Sequence, residues 1–216
     1  KHLNLFLDMR WLLLPTLLFP MAAAGHGDSL RSADHPKQGL ADLLIEYMSL
    51  RYRGQDLRGD LLYVSVNSQV LYHVLGGRMI AHYPVATAKN GLGCQQNSYC
   101  TPTGLHRIRE KFGDGIPEFG ILRDRKYTGE LADPDFAGVD KDWITTRVLW
   151  LEGLEPGHNQ GGQVDSYERY IYIHGTANER AIGTPSSQGC IRMRNADVAA
   201  LFKEVDVGTL VVVLDN

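Results

Sequence analysis

Apolar positions along this 216-residue chain change their period once, near residue 60. Before that point Leu40, Leu43, Leu44, Tyr47 and Met48 recur at i, i+3, i+4, i+7 and i+8, and the pattern stops near Gly54. That spacing predicts an amphipathic helix whose stripe packs on the rest of the chain. From Leu61 the apolar residues come in short runs rich in Val, Leu, Ile and Tyr. Leu61–Val66, Val70–Leu75, Met79–Thr87, Gly104–Lys111, Arg147–Glu152, Arg169–His174 and Thr209–Leu214 are expected strands. Asn67-Ser68 and Gly76-Gly77 supply tight turns between the first three. Near the end Asn195 is expected to cap a helix with Val198, Leu201, Phe202 and Val205 on one face, closing at Gly208. The sum is a mostly β fold, an antiparallel sandwich or barrel with a few short helices, preceded by an N-terminal helix. Between Phe112 and Thr146 the pattern breaks into a long insertion rich in Gly and Pro, the kind of loop that is usually functional.

The first residues change the picture of where the chain works. From Met9 it reads Met-Arg-Trp, then a Leu-rich stretch to Met21, then Ala22-Ala23-Ala24 before Gly25. A positive charge, a short apolar stretch and a small-residue ending describe a secretory signal peptide. The apolar run, Trp11 to Ala24, is shorter than the roughly 20 residues that span a bilayer, and Pro15 and Pro20 interrupt a helix. Residues 1–24 are therefore read as a leader, with Met9 as an alternative start. Residues 25–58 are a tether and the amphipathic helix, and 59–216 form the globular domain. No membrane span is expected in the mature protein, and its predicted location is the periplasm.

Charge narrows the partners. Twenty-two Lys and Arg against 25 Asp and Glu give a net charge of −3, so no basic field points to nucleic acid. Asp133, Asp135, Asp140 and Asp142 lack the spacing and Gly placement of a calcium loop and read as a solvated acidic surface. Neither a metal nor an organic cofactor is implied. Of the three cysteines, Cys94 and Cys100 sit in one polar loop and are expected to pair as a disulfide in an oxidising compartment. Cys190 is then the odd thiol.

His174-Gly175-Thr176 follows an apolar run, and Cys190 comes sixteen positions after His174 within Ser187-Gln188-Gly189-Cys190-Ile191-Arg192-Met193. A thiol becomes a nucleophile as its thiolate, and a neighbouring imidazole is the usual means of making one. If the strand end and the turn meet, His174 takes the Cys190 proton and amides at Gly189 and Cys190 face a developing oxyanion. The imidazole's other nitrogen has three candidate acceptors: the Gly175 carbonyl and the hydroxyls of Thr176 and Ser187. The expected reaction is acyl transfer through a thioester.

These two motifs, with Thr101-Pro102-Thr103-Gly104 upstream, resemble the signature of L,D-transpeptidases of the YkuD type over roughly Leu61 to Asp215. The resemblance implies a mostly β YkuD-like fold and a peptidoglycan substrate. Cys190 would attack the carbonyl of the third, L-configured centre of a tetrapeptide stem and release D-alanine. An amine acceptor would then resolve the thioester. Water as acceptor would make the enzyme an L,D-carboxypeptidase or hydrolase that trims stems or releases a wall-linked lipoprotein. Carried over by position, Cys190 is the nucleophile and His174 the acid/base. Gly189, Gly175 and Ser187 support the oxyanion or orient the ring, and Arg192, Thr176 and Gln188 touch substrate. The family commonly places His immediately before the Gly-Cys pair, where this chain has Gln188, a residue that hydrogen-bonds but carries no proton at neutral pH. A non-catalytic peptidoglycan-binding module is the alternative that this departure supports.

Overall fold

A computed structural model describes residues 36–55, 57, 59–133, 135 and 143–216. The chain divides into two units, residues 1–33 and 34–216, and every described residue belongs to the second. The expected leader, the start of the tether, and Asp140 and Asp142 lie outside the described residues.

Among the described residues ten strands form one sheet: β1 (Asp60–Ser65), β2 (Val70–Leu75), β3 (Arg78–Pro84), β4 (Gly104–Phe112), β5 (Gly120–Arg123), β6 (Lys126–Leu131), β7 (Ile144–Gly153), β8 (Tyr172–Thr176), β9 (Ile191–Met193) and β10 (Leu210–Leu214). The main path runs β3-β2-β1-β10-β4-β7-β5-β6, with β8 paired to β7 and β9 to β8. The expected mostly β architecture is present, but the sheet is mixed rather than antiparallel. β1 pairs with β10, and β8 with β9, in parallel. Among the described residues two α-helices accompany it, α1 (Pro36–Arg51) and α2 (Asn195–Glu204).

β1 and β10 read as continuous apolar runs because both of their faces are covered. Leu62, Val64, Val211 and Val213 enter a core shared with Ile108, Leu149, Ile173, Ile191 and the α2 residues Val198, Leu201 and Phe202. Their alternates Leu61, Tyr63 and Val212 turn the other way and pack with Ala41, Leu44 and Met48 of α1. The helix stripe thus differs from the expected one. Leu44 and Met48 are buried, but Leu43 is 65% and Tyr47 42% exposed, because the small Ala41 rather than Leu43 faces the sheet.

Residues from β1 and from β9 share one core although they are far apart in strand order, so the sheet curls over on itself. A further bridge closes the curl. Ala86, just beyond β3, exchanges both backbone hydrogen bonds with Arg192 of β9, each at 2.9 Å. This gives physical form to the expected extension of the third strand toward Thr87.

His106 on β4 is fully buried. Its Nδ1 lies 3.1 Å from the Gly104 carbonyl oxygen, which only accepts, so Nε2 accepts from Ser166 Oγ at 3.0 Å. Burial pushes its pKa down to about 4 from 6.5. Below pH 6.5 the unfolded chain therefore binds a proton that the folded chain refuses, and stability falls with pH until the folded ring also protonates near pH 4. That window is worth about 3 kcal/mol. Urea unfolding at pH 7 and 4.5 is expected to show this loss in the wild type and to show it much reduced in His106→Asn.

Candidate active site

Parallel pairing of β8 and β9 sets the site. Ile173 opposes Ile191, His174 opposes Arg192 and Gly175 opposes Met193. Side chains alternate across a strand, so Tyr172, His174, Arg192 and, one step before β9, Cys190 share one face. The opposite face, with Ile173, Ile191 and Met193, belongs to the main core. On the site face Cys190 packs against Val148, Trp150, Tyr172 and the hairpin residue Leu122. The sheet thus holds catalytic-type side chains on a rigid surface backed by core.

Cys190 is partly exposed, and two backbone groups of the β8 approach bracket its sulfur. The Tyr172 N–H donates to Sγ at 3.4 Å, and the thiol donates to the Tyr170 carbonyl at 3.4 Å. Tyr170 has φ 57°, the left-handed turn that lets residues on both sides of Ile171 meet one sulfur. His174 is 1% exposed, and its Nδ1 lies 2.8 Å from the Gly175 carbonyl oxygen. A carbonyl only accepts, so Nδ1 carries the proton and Nε2 is left as the basic nitrogen. Of the three expected acceptors the structure uses Gly175. The hydroxyls of Thr176 and Ser187 are engaged elsewhere: Thr176 Oγ1 accepts the Asn178 N–H at 3.2 Å, and Ser187 Oγ donates to the Cys190 carbonyl at 2.5 Å.

The Gly189 N–H, expected to face an oxyanion, donates to Ser187 Oγ at 3.2 Å within the turn. Gly189 has φ +130°, and a Cβ there would meet Ile171 at 3.3 Å, so the position requires glycine. Thr176 is buried. Arg192 is only 6% exposed, and its backbone closes the curl. Gln188 is exposed and lines a cavity of about 310 Å³ with Gln96, Tyr99, Glu168 and Arg169. The expected bond between Cys94 and Cys100 is not formed in this structure. Their sulfurs turn to different partners, His158 Nε2 at 3.8 Å and the Asn90 carbonyl at 3.3 Å. Their loop is pinned instead by the Arg169 guanidinium, which donates to the Cys94 carbonyl at 2.9 Å and the Cys100 carbonyl at 2.8 Å. Burial lowers the Arg169 pKa, and the neighbouring thiols, Cys190 among them, oppose that shift. Among the described residues no group of three or more metal-ligating side chains converges.

Two positioning residues escape sequence reasoning. Thr101 Oγ1 donates to the Gly189 carbonyl at 2.9 Å and accepts the Ala88 N–H at 2.9 Å, tying the cysteine turn to the extension of β3. Asn195, expected as a helix cap, is the first residue of α2 and caps nothing with its side chain. Its Oδ1 accepts from Thr145 Oγ1 at 2.6 Å and Thr146 Oγ1 at 2.5 Å, while Nδ2 donates to the Thr176 carbonyl at 2.9 Å and Glu179 Oε1 at 2.7 Å. A fully buried amide thus joins the bulge of β7 to the end of the His174 strand. Asn195→Ala leaves several buried polar groups unsatisfied, which is expected to cost about 3 kcal/mol by denaturant unfolding.

The YkuD family model, an L,D-transpeptidase catalytic domain, matches residues 59–213. The putative L,D-transpeptidase YqjB of Bacillus subtilis is 36% identical over 72 residues, which is 31% of this chain and 41% of that protein. The probable L,D-transpeptidase YcfS of Escherichia coli is 26% identical over 151 residues, 68% of this chain and 41% of that one. The matches thus span less than half the length of these relatives. A crystal structure of L,D-transpeptidase 3 from Mycobacterium tuberculosis superposes with a TM-score of 0.45 at 15% identity, covering 73% of this chain and 61% of that one.

Proposed function

This chain belongs to the family of YkuD-type L,D-transpeptidase catalytic domains, and from that membership we propose that it is an exported peptidoglycan L,D-transpeptidase. The observation that carries the reading is a partly exposed sulfur bracketed by Tyr170 and Tyr172 on the sheet face that also bears His174. His174 Nε2, with Nδ1 tied to the Gly175 carbonyl, takes the thiol proton. The thiolate attacks the carbonyl of the third, L-configured centre of a tetrapeptide stem. The bond to D-alanine breaks, and the leaving amine receives the proton from His174. An amine acceptor then attacks the thioester, His174 removes its proton, and the thiolate is restored. The Tyr172 N–H beside the sulfur is a donor aimed where negative charge moves. Residues 59–216 carry this chemistry. Residues 1–24 direct export to the periplasm, and 25–58 supply a tether and a helix packed on the sheet. Among the described residues no helix is long and apolar enough to cross a membrane.

Incubation with a tetrapeptide stem is expected to release D-alanine and to leave a stem acyl group on Cys190, visible as an intact-mass gain. With good amine acceptors present, exchanged product should outweigh hydrolysed product. Exclusive hydrolysis would make the protein an L,D-carboxypeptidase. Absence of any adduct would leave the non-catalytic wall-binding module that Gln188 suggests.

A further inference from the structure

The turn between β5 and β6 is built against conformational preference. Arg123 pairs with Lys126, which leaves Asp124 and Arg125 as a two-residue loop with φ of 49° and 65°. Such turns favour Asn-Gly, because L-residues with side chains adopt the left-handed region at a cost. Strain of this kind, when retained beside a reactive group, points to a use for the side chain. At Arg125 that side chain is laid across an aromatic wall. Its Cζ lies 4.8 Å from the Trp150 ring centroid and 5.7 Å from that of Tyr170, and Nη1 donates to Tyr172 Oη at 3.4 Å.

This wall is the one that holds the nucleophile. Tyr170 and Tyr172 supply the backbone groups that touch Cys190 Sγ, and Cys190 packs with Leu122, Val148 and Trp150. Arg125, Asp124, Leu122, Val148, Tyr170 and Tyr172 line a cavity of about 310 Å³, the size at which small-ligand clefts begin. Two arginines of the sheet have a carboxylate of their own, Arg107 and Arg109, which both pair with Glu152. No described carboxylate lies within ion-pair distance of Arg125. A guanidinium has five donors in a rigid fork suited to a carboxylate, and here one of them serves Tyr172.

We infer that Arg125 is a specificity residue that binds a free side-chain carboxylate on the acyl-donating residue of the substrate, in the cavity between the β5–β6 turn and Tyr170 and Tyr172. The inference rests on the proposed transpeptidase reading and deepens it. It assigns the enzyme to stems whose third residue carries an ionised side-chain carboxylate rather than an amide. Tyr170 and Trp150 hold the guanidinium flat, so a fork–fork contact forms with little ordering left to do.

The test uses two tetrapeptides that differ only in that carboxylate, free or amidated. Calorimetry with the Cys190→Ala protein reads affinity without turnover, and D-alanine release by the wild type reads turnover separately. The free acid should bind about tenfold or more tighter than the amide. Adding Arg125→Gln should remove that preference, leave the affinity for the amide unchanged, and in the active enzyme raise KM while sparing kcat. Arg125→Lys should restore part of the preference, since an ammonium keeps the charge but not the fork. Equal affinities for the two peptides, or an equal loss on both in Arg125→Gln, would overturn the inference while leaving the transpeptidase reading intact. Arg125-dependent binding without release of D-alanine from either peptide would instead sink the transpeptidase reading and keep the carboxylate site.

Discussion

Cys190→Ala is expected to lower D-alanine release from a tetrapeptide stem by about 10⁴-fold or more, to the limit of detection. The size of the effect follows from the chemistry, since no other described side chain supplies a sulfur at the Tyr170–Tyr172 notch. Cys94 and Cys100 are free thiols, but their sulfurs face His158 and the Asn90 carbonyl in a different loop. The fold should survive, because Cys190 sits partly exposed at the rim of its cluster and contributes little buried area. An unchanged urea midpoint would separate lost chemistry from lost structure. His174→Ala should cost nearly as much. The double variant should be no worse than the worse of the two, because nucleophile and base act as one unit. Additive losses would mean that His174 only supports the strand. Residual stem acylation in Cys190→Ala would move the nucleophile elsewhere.

Legibility in the sequence tracked burial. β1, β2, β7 and β10 were readable as apolar runs because one or both of their faces are covered by core or helix. β6, Lys-Tyr-Thr-Gly-Glu-Leu, lies almost wholly exposed at the sheet edge, so no alternation marks it, and the hairpin it makes with β5 reads only as loop. β9 is three residues long and directly follows the cysteine turn, too short for any period to show. Its parallel partner β8 lies beyond an intervening crossover, which local pattern does not reveal. The chemistry was more legible than the topology. His174 and Cys190 stand out as residue types in motifs, and the sheet brings their strands side by side. What composition could not supply is which polar groups are already spent. Thr176, Ser187 and the Gly189 amide look wholly available in a linear chain, but each makes a short-range bond within its own turn. Asn195 is the converse case. A polar residue at a helix start reads as a cap, and only the fold places it against the bulge at Thr146, whose φ of 66° turns its hydroxyl and that of Thr145 onto one amide oxygen.

Gly175→Ala should be the most damaging single methyl in the site. A Cβ at this position would lie 2.7 Å from the Thr145 carbonyl oxygen and 2.8 Å from Asn195 Oδ1, both closer than real Cβ contacts come. Neither neighbour yields easily. Thr145 belongs to β7 and is hydrogen-bonded into Asn195, and Asn195 is itself held by four side-chain bonds. Relief must come from β8 moving away from β7. That displaces the Gly175 carbonyl, the acceptor that fixes the His174 ring and leaves Nε2 basic. Overpacking a close-packed interior costs about 1–3 kcal/mol, and a base misplaced by about 1 Å costs about 10²-fold in rate. Both losses should therefore appear together: a lower urea midpoint, and a kcat reduced about 100-fold at temperatures where the variant is still folded. Asn195→Ala provides the internal comparison, since it removes one of the two obstructing atoms. In the Asn195→Ala background Gly175→Ala should cost measurably less than alone, a positive coupling that two independent sites would not show. Strict additivity of the two substitutions would break the link between the buried amide and the orientation of His174.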